Sequence, residues 1–501
     1  MDRRNELFDL FIVGGGINGV GIARDAAGRG LKVALCDRGD LGGATSWTST
    51  KLIHGGLRYL EYREFRLVRE SLAEREVLLR NAPHLVRPVR FVLPHVPELR
   101  PTWMIRAGLF LYDHLSRRDS LPGSEGLDLR RSPLGEGLQA GFRKGFAYSD
   151  CLVDDARLVI VNARAASSLG AKVMVRTGFA GAEVVDGVWH IDLVDTETAE
   201  RGLVRARAVA NVAGPWVTQV QSSMKGVSAG RRIRLVKGSH IVVPWLYEGG
   251  HAYILQNDDG RVVFVIPFEG QFSLIGSTEV EVKGEPGPVS ISDQEVNYLC
   301  RAVSRYLTRA VRPQDVVWSF AGLRPLFGDS QESPSAITRD YEVELDTVNG
   351  TPVLTVYGGK ISTYRRLADV VLAKLRTFFP HMEPPWTAST PLPGGDVPHG
   401  DFDTFVRHLL QEYPRLPQTV LELLVRRYGT LYTEVLEKPR DVEFLGQHFG
   451  AGLYAREIDY LIDHEWARTA EDVLWRRTKA GLHMSEHERA TVAEYLKHKR
   501  R

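Results

Sequence analysis

Three glycines near the start of the chain have the spacing of a nucleotide-binding turn. Gly14, Gly16 and Gly19 form GxGxxG between a predicted strand and a predicted helix, and Asp37 ends the next predicted strand. Glycines at these positions permit a tight turn, close approach of a pyrophosphate to the backbone, and close packing of helix on strand. The helix N-terminus supplies N–H donors to the anion, and Asp37 can accept hydrogen bonds from ribose hydroxyls. The sequence therefore predicts a cofactor that contains ADP.

The fingerprint alone does not separate NAD from FAD, because both cofactors contain ADP. The segment ATSWTSTKLIHGGLRYLE, residues 44–61, combines small hydroxyl residues with a glycine pair, as expected where backbone packs on a flat ring system. Two further glycine turns, NVAGPW at 211–216 and VYGGK at 356–360, follow strand-like runs. These additional turns favour FAD over NAD.

The glycine turn requires a βαβ unit, which the pattern predicts as a strand at 8–13, a helix at 18–27 and a strand at 32–36. Further strands are predicted at 173–177, 189–194 and 262–268, and helices at 63–81 and from about 361 to 378. The proline-rich segment 381–395 is typical of a linker, and 401–498 has helical spacing almost throughout. We predict a mixed α/β region over 1–385 and a helical C-terminal cap domain over 386–501.

The overall composition excludes several classes of protein. A chain of 501 residues is long enough for two or more cores, and 43% hydrophobic with 25% charged residues is typical of a globular protein. A formal charge of +2 does not support wholesale nucleic-acid binding. Cys36, Cys151 and Cys300 form neither a CxxC pair nor a metal-ligand cluster, which fits a reducing cytoplasm. No export signal and no run of ~20 apolar residues is visible, so any membrane contact is expected at the surface.

Several long blocks resemble one known family. They are GGGINGVGIARDAAGRG, TKLIHGGLRYLE, FRLVRESLAEREVLL, YSDCLVDDARL, KGSHIVVP, AGLRPLFGD, YGGKISTYRRLA and LIDHEWARTAEDVLWRRTK. In this order, over roughly residues 8 to 480, they closely resemble the bacterial aerobic glycerol-3-phosphate dehydrogenases, which are FAD-dependent and membrane-associated. The resemblance implies an α/β fold like that of D-amino-acid oxidase: a Rossmann-like FAD domain with an inserted mixed or antiparallel substrate sheet, followed by a helical C-terminal domain.

The chain departs from the family pattern at three cofactor-site positions. Val212 is bulkier than the usual alanine, Trp47 stands where a small residue is usual, and Asp37 replaces a frequent glutamate. None removes a group that the chemistry requires, although Trp47 leaves the packing of the loop around FAD open. The resemblance assigns these residues to FAD binding: Gly14, Gly15, Gly16, Asn18, Gly19, Asp37, Thr45, Ser46, Ser49, Lys51, Leu52, Gly214, Gly359, Lys360, Ile361 and Ser362.

Oxidation of a secondary alcohol requires a base for the hydroxyl proton and an acceptor for the hydride, which would be flavin N5. The resemblance points to His240 beside the reacting carbon, with His54 as the second candidate base. A phosphate dianion requires fixed cations, and the resembling blocks offer Arg58, Arg324 and Lys360 beside glycine or proline turns. These five residues are the catalytic candidates. The substrate-binding candidates are Arg58, Tyr59, His240, Arg324, Lys360 and Thr363, and Ser362 could add a hydrogen bond. No metal-binding signature is found.

Residues 95–118, HVPELRPTWMIRAGLFLYDHLSRR, interleave aromatic, aliphatic and basic side chains. Such a segment can bury its apolar face at the headgroup boundary of a membrane, but it can equally be a core helix with exposed arginines. The resemblance favours peripheral, monotopic attachment to the cytoplasmic face of the inner membrane. It also implies glycerol 3-phosphate as substrate and a membrane quinone as electron acceptor.

Other interpretations stay open at this point. The same flavin chemistry could serve an oxidase that passes electrons to oxygen, and a membrane-bound flavoprotein could act as a scaffold without turnover. A homodimer contact through the helical domain is also possible, because residues 463–479 carry Trp466 and Trp475 among charges. The charges in this segment are expected to form a solvated or salt-bridged face rather than a catalytic set.

Overall fold

The computed structural model describes residues 6–96, 98–327, 339–398, 401–437 and 441–499. The strands of this part of the chain are β1 Leu7–Val13, β2 Val33–Cys36, β3 Leu52–Ile53, β4 Val86–Pro94, β5 Glu125–Asp128, β6 Lys144–Val153, β7 Lys172–Met174, β8 Thr177–Val185, β9 Val188–Asp195, β10 Arg201–Asn211, β11 Arg234–Pro244, β12 Ala252–Gln256, β13 Val262–Phe268, β14 Phe272–Gly276, β15 Val280–Val282, β16 Trp318–Leu326, β17 Tyr341–Val348 and β18 Thr351–Gly358.

The helices alternate with strands in the first part of the chain and stand alone in the last part. They are α1 Ile17–Gly28, α2 Phe65–Asn81, α3 Thr102–His114, α4 Asp155–Ser168, α5 Val217–Ser222, α6 Asp293–Ser304, α7 Tyr364–Leu375, α8 Phe402–Glu412, α9 Gln418–Tyr428, α10 Tyr432–Leu436, α11 Ala455–Glu465 and α12 Glu486–Lys499. A π-helical turn at Asp472–Arg477 lies between α11 and α12.

The first sheet contains the predicted βαβ unit. Its strand order is β17-β18-β10-β1-β2-β7, and the β8–β9 hairpin extends it from β10. Strands β18, β10, β1, β2 and β7 are parallel to their neighbours in this group, so their carboxyl ends lie at one edge. Helices α1, α4 and α7 pack together over the sheet, and their small and aliphatic side chains share one core with it. Binding of ligands at the carboxyl edge of such a sheet is expected.

The second sheet is mixed and mainly antiparallel. Its order is β15-β11-β14-β13-β12-β4-β6-β3, with β16 on β11 and β5 on β6. Only the β12–β4 pair among these described strands is parallel. Its strands come from two segments that lie between strands of the first sheet, β3–β6 between β2 and β7, and β11–β16 between β10 and β17. This agrees with the predicted inserted substrate sheet.

The C-terminal helices have a core of their own. Its buried members run from Leu409 to Leu496, and no strand is found in the described residues after β18. The proline-rich segment differs from its prediction as a linker. Met382 and Leu392 are buried in the core of the first sheet, and the Trp386 indole N–H donates to the Asp25 carbonyl at 3.2 Å. This segment therefore belongs to the packing of α1 and α7.

One strand prediction also needs correction. Residues 173–177 do not form a single strand, because the chain turns between β7 and β8. Arg176 adopts a left-handed conformation in that turn, with φ 51°. The turn matters for the cofactor site, since the Arg176 amide donates to the Gly39 carbonyl at 2.9 Å.

Candidate cofactor and substrate site

The predicted nucleotide motifs meet at the carboxyl edge of the first sheet. The glycine turn follows β1, Asp37 follows β2, residues 212–214 follow β10, and Gly359 follows β18. All four segments contribute to the wall of one cavity of about 1140 Å³. The convergence follows from the topology, because the parallel strands end together.

The geometry of the turn explains its glycines. Gly14 has φ 115°, and a Cβ atom there would lie 2.5 Å from the Val212 carbonyl oxygen. A Cβ atom on Gly19 would lie 1.9 Å from the Gly14 carbonyl oxygen, so α1 could not start so close to the turn. Gly15 and Gly19 do not line the cavity. Their lack of a side chain therefore serves the packing of the turn rather than a contact with a ligand. The turn thus brings backbone N–H groups at the start of α1 to the cavity.

The wall around the turn has groups suited to an ADP-containing cofactor. Asp37 accepts hydrogen bonds from the backbone N–H groups of Gly15, at 2.7 Å, and Gly39, at 2.8 Å. Burial raises the pKa of Asp37 in spite of these two bonds. Asn18 donates to the Gly358 carbonyl, while its Oδ1 atom is buried without a hydrogen-bond partner among the described residues. An unsatisfied buried acceptor on a cavity wall is expected where a ligand donates. These residues fit the FAD that the sequence predicts.

The hydroxyl-rich loop contributes in several ways. Ser46 Oγ accepts from the Ile17 amide at 3.0 Å, Thr45 Oγ1 donates to the Leu323 carbonyl at 2.6 Å, and Ser49 Oγ donates to Asp155 at 2.8 Å. These three hydroxyl residues line the cavity together with Leu52, Ile361 and Ser362. Trp47 is accommodated at the wall, with its indole N–H on the Gly43 carbonyl at 3.1 Å.

A cationic chamber opens from the same cavity. It is formed by Arg324 on β16, Arg339 before β17, Lys360 after β18, Tyr59 and Glu279. Arg324 donates to Ser277 Oγ at 2.8 Å, and Arg339 donates to Glu279 Oε1 at 2.7 Å. The Lys360 ammonium lies 3.7 Å from the Tyr59 ring centroid and has no hydrogen-bond partner among the described residues. The cations of the chamber therefore face the cavity, where an anionic ligand can bind them.

The pKa values in the chamber respond to burial and to this crowding of charge. Burial, then the neighbouring Arg339, lowers the pKa of Arg324 to about 10. Burial also lowers the pKa of Lys360. For Tyr59 burial acts in the opposite direction, but Lys360, Arg339 and Arg324 outweigh it and lower the pKa. An anion bound here would relieve the repulsion among the cations.

The two candidate histidines occupy different places. His54 lines the cavity, and burial, then Lys360 and Arg75, lowers its pKa to about 3. His240 is fully buried behind the wall, stacked on Phe320 at a centroid distance of 4.8 Å, with Nε2 3.1 Å from Thr50 Oγ1. The prediction that His240 contacts the substrate is therefore not supported, because Thr50 lies between its ring and the cavity.

Two further predicted site residues, Thr363 and Lys51, do not line the cavity, and Arg58 lines it without a contact to the chamber cations. Thr363 is fully buried at the start of α7 and does not reach the cavity wall. Lys51 is also away from the wall, because its ammonium pairs with Asp155 at 2.8 Å. Arg58 lines the cavity, but its guanidinium donates to the Tyr62 hydroxyl at 3.3 Å rather than to the chamber.

Sequence reasoning missed Arg339, Glu279 and Ser277, which lie beside the predicted Arg324 in the chamber. None of them belongs to a glycine turn that precedes a helix, so local spacing gave no signal. The only hint was the glycine at the end of β14, where GSTE follows a strand-like run. Arg476 of the C-terminal domain, which also lines the cavity, was missed as well.

A Rossmann-like glycine turn that opens into a cationic chamber beside a mixed sheet defines a flavin-dependent oxidoreductase. A family model described as "FAD dependent oxidoreductase" matches residues 9–365, and one described as "C-terminal domain of alpha-glycerophosphate oxidase" matches residues 385–498.

Comparison with individual proteins gives the same class. The chain is 52% identical to a glycerol-3-phosphate dehydrogenase of Pseudomonas aeruginosa, over 98% of this chain and 95% of the relative. It is 49% identical to a D-erythritol 1-phosphate dehydrogenase of Brucella abortus, over 98% of both chains. Among solved structures, the glycerol-3-phosphate dehydrogenase from Bacillus halodurans complexed with FAD matches with a TM-score of 0.77 and 25% identity, over 99% of this chain and 90% of the other. The chain belongs to the FAD-dependent glycerol-3-phosphate dehydrogenase family, and its cofactor is FAD.

Proposed function

We propose that the protein oxidises sn-glycerol 3-phosphate to dihydroxyacetone phosphate and that a membrane quinone reoxidises its flavin. The cationic chamber carries this proposal, because it is continuous with the cavity of the glycine turn and fits a small phosphoester. The activity would serve glycerol catabolism and respiratory electron transfer. FAD, when bound, supplies the acceptor for the hydride that leaves the substrate carbon.

The residues of the chamber have distinct roles in this proposal. Arg324, Arg339 and Lys360 bind the phosphate and hold the substrate in one orientation. His54 is uncharged at neutral pH because burial lowers its pKa to about 3. A neutral imidazole can accept the hydroxyl proton, and the nearby cations stabilise negative charge that develops on the substrate oxygen.

The polyol phosphate can be identified by anaerobic titration of the purified holoenzyme. We expect sn-glycerol 3-phosphate to bleach the flavin absorption within the time of one turnover. The relative that is named a D-erythritol 1-phosphate dehydrogenase makes a four-carbon polyol phosphate the second candidate. Faster bleaching by D-erythritol 1-phosphate than by glycerol 3-phosphate would assign the enzyme to the longer substrate. No bleaching by either would contradict the proposal and favour a non-catalytic flavoprotein.

The surface of α3 supports the proposed membrane contact. Ile105, Leu109 and Tyr112 face the protein core, while the opposite face exposes 68% of Trp103 and 62% of Phe110. Met104 and Leu111 are exposed on the same helix, and Arg106 lies among them. An apolar helix face rimmed by arginine suits the boundary between headgroups and acyl chains. Pro97, within the predicted segment 95–118, lies outside the described residues.

None of the helices in the described part of the chain is both long enough and apolar enough to cross a bilayer.

We infer peripheral binding at the cytoplasmic face of the inner membrane from the exposed apolar face of α3. Attachment there would bring FAD, when bound, close to a quinone dissolved in lipid.

Vesicle sedimentation tests this contact. Trp103→Glu and Phe110→Glu should reduce binding to vesicles of anionic phospholipid and reduce quinone reductase activity, while reduction of a soluble dye stays unchanged. Phe444→Glu is the matched control, because Phe444 is 64% exposed in the C-terminal domain, away from α3. Equal losses in the control would contradict the assignment of α3.

The electron acceptor is tested by oxygen consumption. The relatives described above carry dehydrogenase names, which does not favour the oxygen-using alternative. We expect slow peroxide formation under air and fast turnover with quinone in lipid or detergent. Peroxide formation at the full turnover rate would contradict quinone as the acceptor.

A further inference from the structure

Among the described residues of the C-terminal domain, one side chain, that of Arg476, lines the cofactor cavity. Arg476 lies in the π-helical turn between α11 and α12, yet it lines the cavity and its guanidinium lies 5.6 Å from the Trp47 ring. π-helical turns are rare and are frequently found at functional sites. The C-terminal domain therefore contributes to the wall of the cofactor cavity.

Arg476 and the next residue both bind one buried carboxylate of the cofactor domain. Arg476 Nε donates to Asp40 Oδ2 at 2.6 Å, and Arg477 donates to both Asp40 oxygens at 2.7 Å. Arg477 is fully buried, and Asp40 is 6% exposed. Arg477 also donates a hydrogen bond to the main-chain carbonyl of Glu465, at the end of α11, at 2.7 Å. The two domains thus meet at Asp40 in a bidentate arrangement that fixes direction as well as charge.

Asp40 lies in the loop that shapes the nucleotide turn. Its carbonyl accepts from the Gly43 amide at 3.0 Å, and the Gly42 amide donates to the Gly15 carbonyl at 2.9 Å. One residue before Asp40, the Gly39 amide donates to Asp37 Oδ1 at 2.8 Å. A shift of Asp40 would therefore move the glycine turn and Asp37 together.

The turn between β7 and β8 connects the other side of the loop to the same π-helical turn. The Arg176 amide donates to the Gly39 carbonyl at 2.9 Å, and Arg176 Nη2 donates to Asp472 Oδ2 at 2.7 Å. Asp472 also binds Arg476 within the π-helical turn. The loop from Asp37 to Ser46 is consequently held on one side by a backbone hydrogen bond to the turn between β7 and β8, and on the other side by the buried ion pairs of Asp40 with the C-terminal domain. The Arg176–Asp472 ion pair joins these two supports to each other.

We propose that the C-terminal domain is part of the FAD-binding apparatus. Arg476 and Arg477 are positioning residues that act through Asp40 to keep the loop 37–46 in its cofactor-binding conformation. Because coupling between two binding events is reciprocal, bound FAD must stabilise the docked C-terminal domain by the same factor by which docking tightens FAD binding.

The dissociation constant of FAD, measured by the recovery of flavin fluorescence on release, tests this coupling. Asp40→Asn removes the negative charge of the carboxylate that Arg476 and Arg477 share, and Arg476→Lys keeps the positive charge but loses the planar geometry. We expect each to raise the dissociation constant by about tenfold or more, within the usual range of coupling between sites. If Asp40→Asn does not fold, Arg476→Lys provides the test of the coupling on its own.

Glu465→Gln is the matched control. Glu465 is a fully buried carboxylate at the same domain interface, but it pairs with Arg157 on α4 and its side chain does not bind the loop 37–46. We expect Glu465→Gln to lower the melting temperature and to leave the FAD dissociation constant within about twofold of the wild type. An equal increase in the dissociation constant for Glu465→Gln, or none for Asp40→Asn and Arg476→Lys, would overturn the proposal.

Hydrogen exchange provides a second measurement that is independent of activity. Addition of FAD to flavin-stripped protein should slow exchange in the peptide 466–482 but not in α12, and the slowing should be lost in Asp40→Asn. FAD-induced slowing of the same size in the wild type and in Asp40→Asn would show that the loop is held without the two arginines, and would also overturn the proposal.

Discussion

Replacement of Arg324 by methionine should leave the substrate-free protein at least as stable as the wild type while it weakens the proposed substrate site. Arg324 shares the chamber with Arg339, and burial and that neighbour lower its pKa to about 10 from the ordinary value of 12.5. The lowered pKa means that the charged guanidinium is destabilised in the empty chamber. Methionine keeps much of the volume and removes the charge.

The size of the effect follows from the pKa. At 1.36 kcal/mol for each pKa unit, a fall from 12.5 to about 10 corresponds to ~3 kcal/mol of destabilisation. The side chain is partly exposed to the cavity, so solvent screening reduces this to about 1 to 2 kcal/mol. The lost hydrogen bond to Ser277 offsets about 1 kcal/mol of the gain. We therefore expect an unchanged or slightly higher melting temperature for Arg324→Met without ligand.

The effect on function has the opposite sign. Loss of one buried cation that contacts a phosphate costs about 2 to 5 kcal/mol, so kcat/KM for the polyol phosphate should fall by ~30-fold or more. Inorganic phosphate should raise the melting temperature of the wild type and have little effect on the variant. FAD binding should be unchanged, which flavin absorbance of the purified variant reports.

Differential scanning fluorimetry with and without phosphate, and stopped-flow flavin reduction, provide the measurements. A large fall in the melting temperature of Arg324→Met without ligand would refute the electrostatic argument. An unchanged rate constant and affinity for flavin reduction would refute the assignment of Arg324 to the substrate site.

Three other predictions concern the glycine turn, the candidate base and a buried histidine outside the site. Gly19→Ala should abolish FAD retention, because its Cβ atom would lie 1.9 Å from the Gly14 carbonyl oxygen; a fully yellow variant would contradict this. His54→Gln should slow flavin reduction by ~100-fold or more, the usual contribution of a general base, and a larger loss in His240→Gln would assign the base to His240 instead. His84 has a pKa lowered to about 3 by burial, then by Arg157, so its stabilising contribution is complete above pH 6.5 and is lost as the pH falls towards 3. The free energy of unfolding in urea should therefore fall by ~1.4 kcal/mol per pH unit for each such histidine, and His84→Phe should reduce that slope by one such increment; an unchanged slope would contradict the lowered pKa.

The cofactor half of the site could be predicted from the sequence because its information is local. The turn, the helix that starts at Ile17 and the strand that ends at Cys36 lie within thirty residues, and the closest approach of Gly19, to the Gly14 carbonyl oxygen, is made inside that unit. The close approach of Gly14 to the Val212 carbonyl oxygen, by contrast, depends on the pairing of β1 with β10. The substrate half depends on pairing between distant strands. Arg324 and Glu279 meet because β16 and the segment after β14 both adjoin β11, a register that no local spacing specifies.

The position of His240 behind the cavity wall has the same origin. Gly238 and His240 are two residues apart on β11, so strand alternation places both on one face of the sheet. Gly238 leaves room for the Arg324 guanidinium, since a Cβ atom there would lie 2.5 Å from Arg324 Nη2. The His240 ring instead fills the space above Gly276 and is covered by Thr50. The loop that carries Thr50 is far from β11 in sequence, yet it decides that the His240 ring does not reach the cavity.

The proline-rich segment shows why composition alone predicted a linker where the structure has a packed segment. Prolines restrict backbone conformation and prevent regular structure, but they do not prevent burial. Trp386 lies so close to α1 that a Cβ atom on Gly28 would lie 2.1 Å from its ring, and Arg24 lies 5.0 Å from the ring centroid. The segment is thus irregular because of its prolines and fixed because of its apolar side chains. The C-terminal helices therefore follow a segment that is packed against α1. The contact of Asp40 with Arg476 and Arg477 is a second attachment of these helices, and we propose that it couples their docking to the loop 37–46.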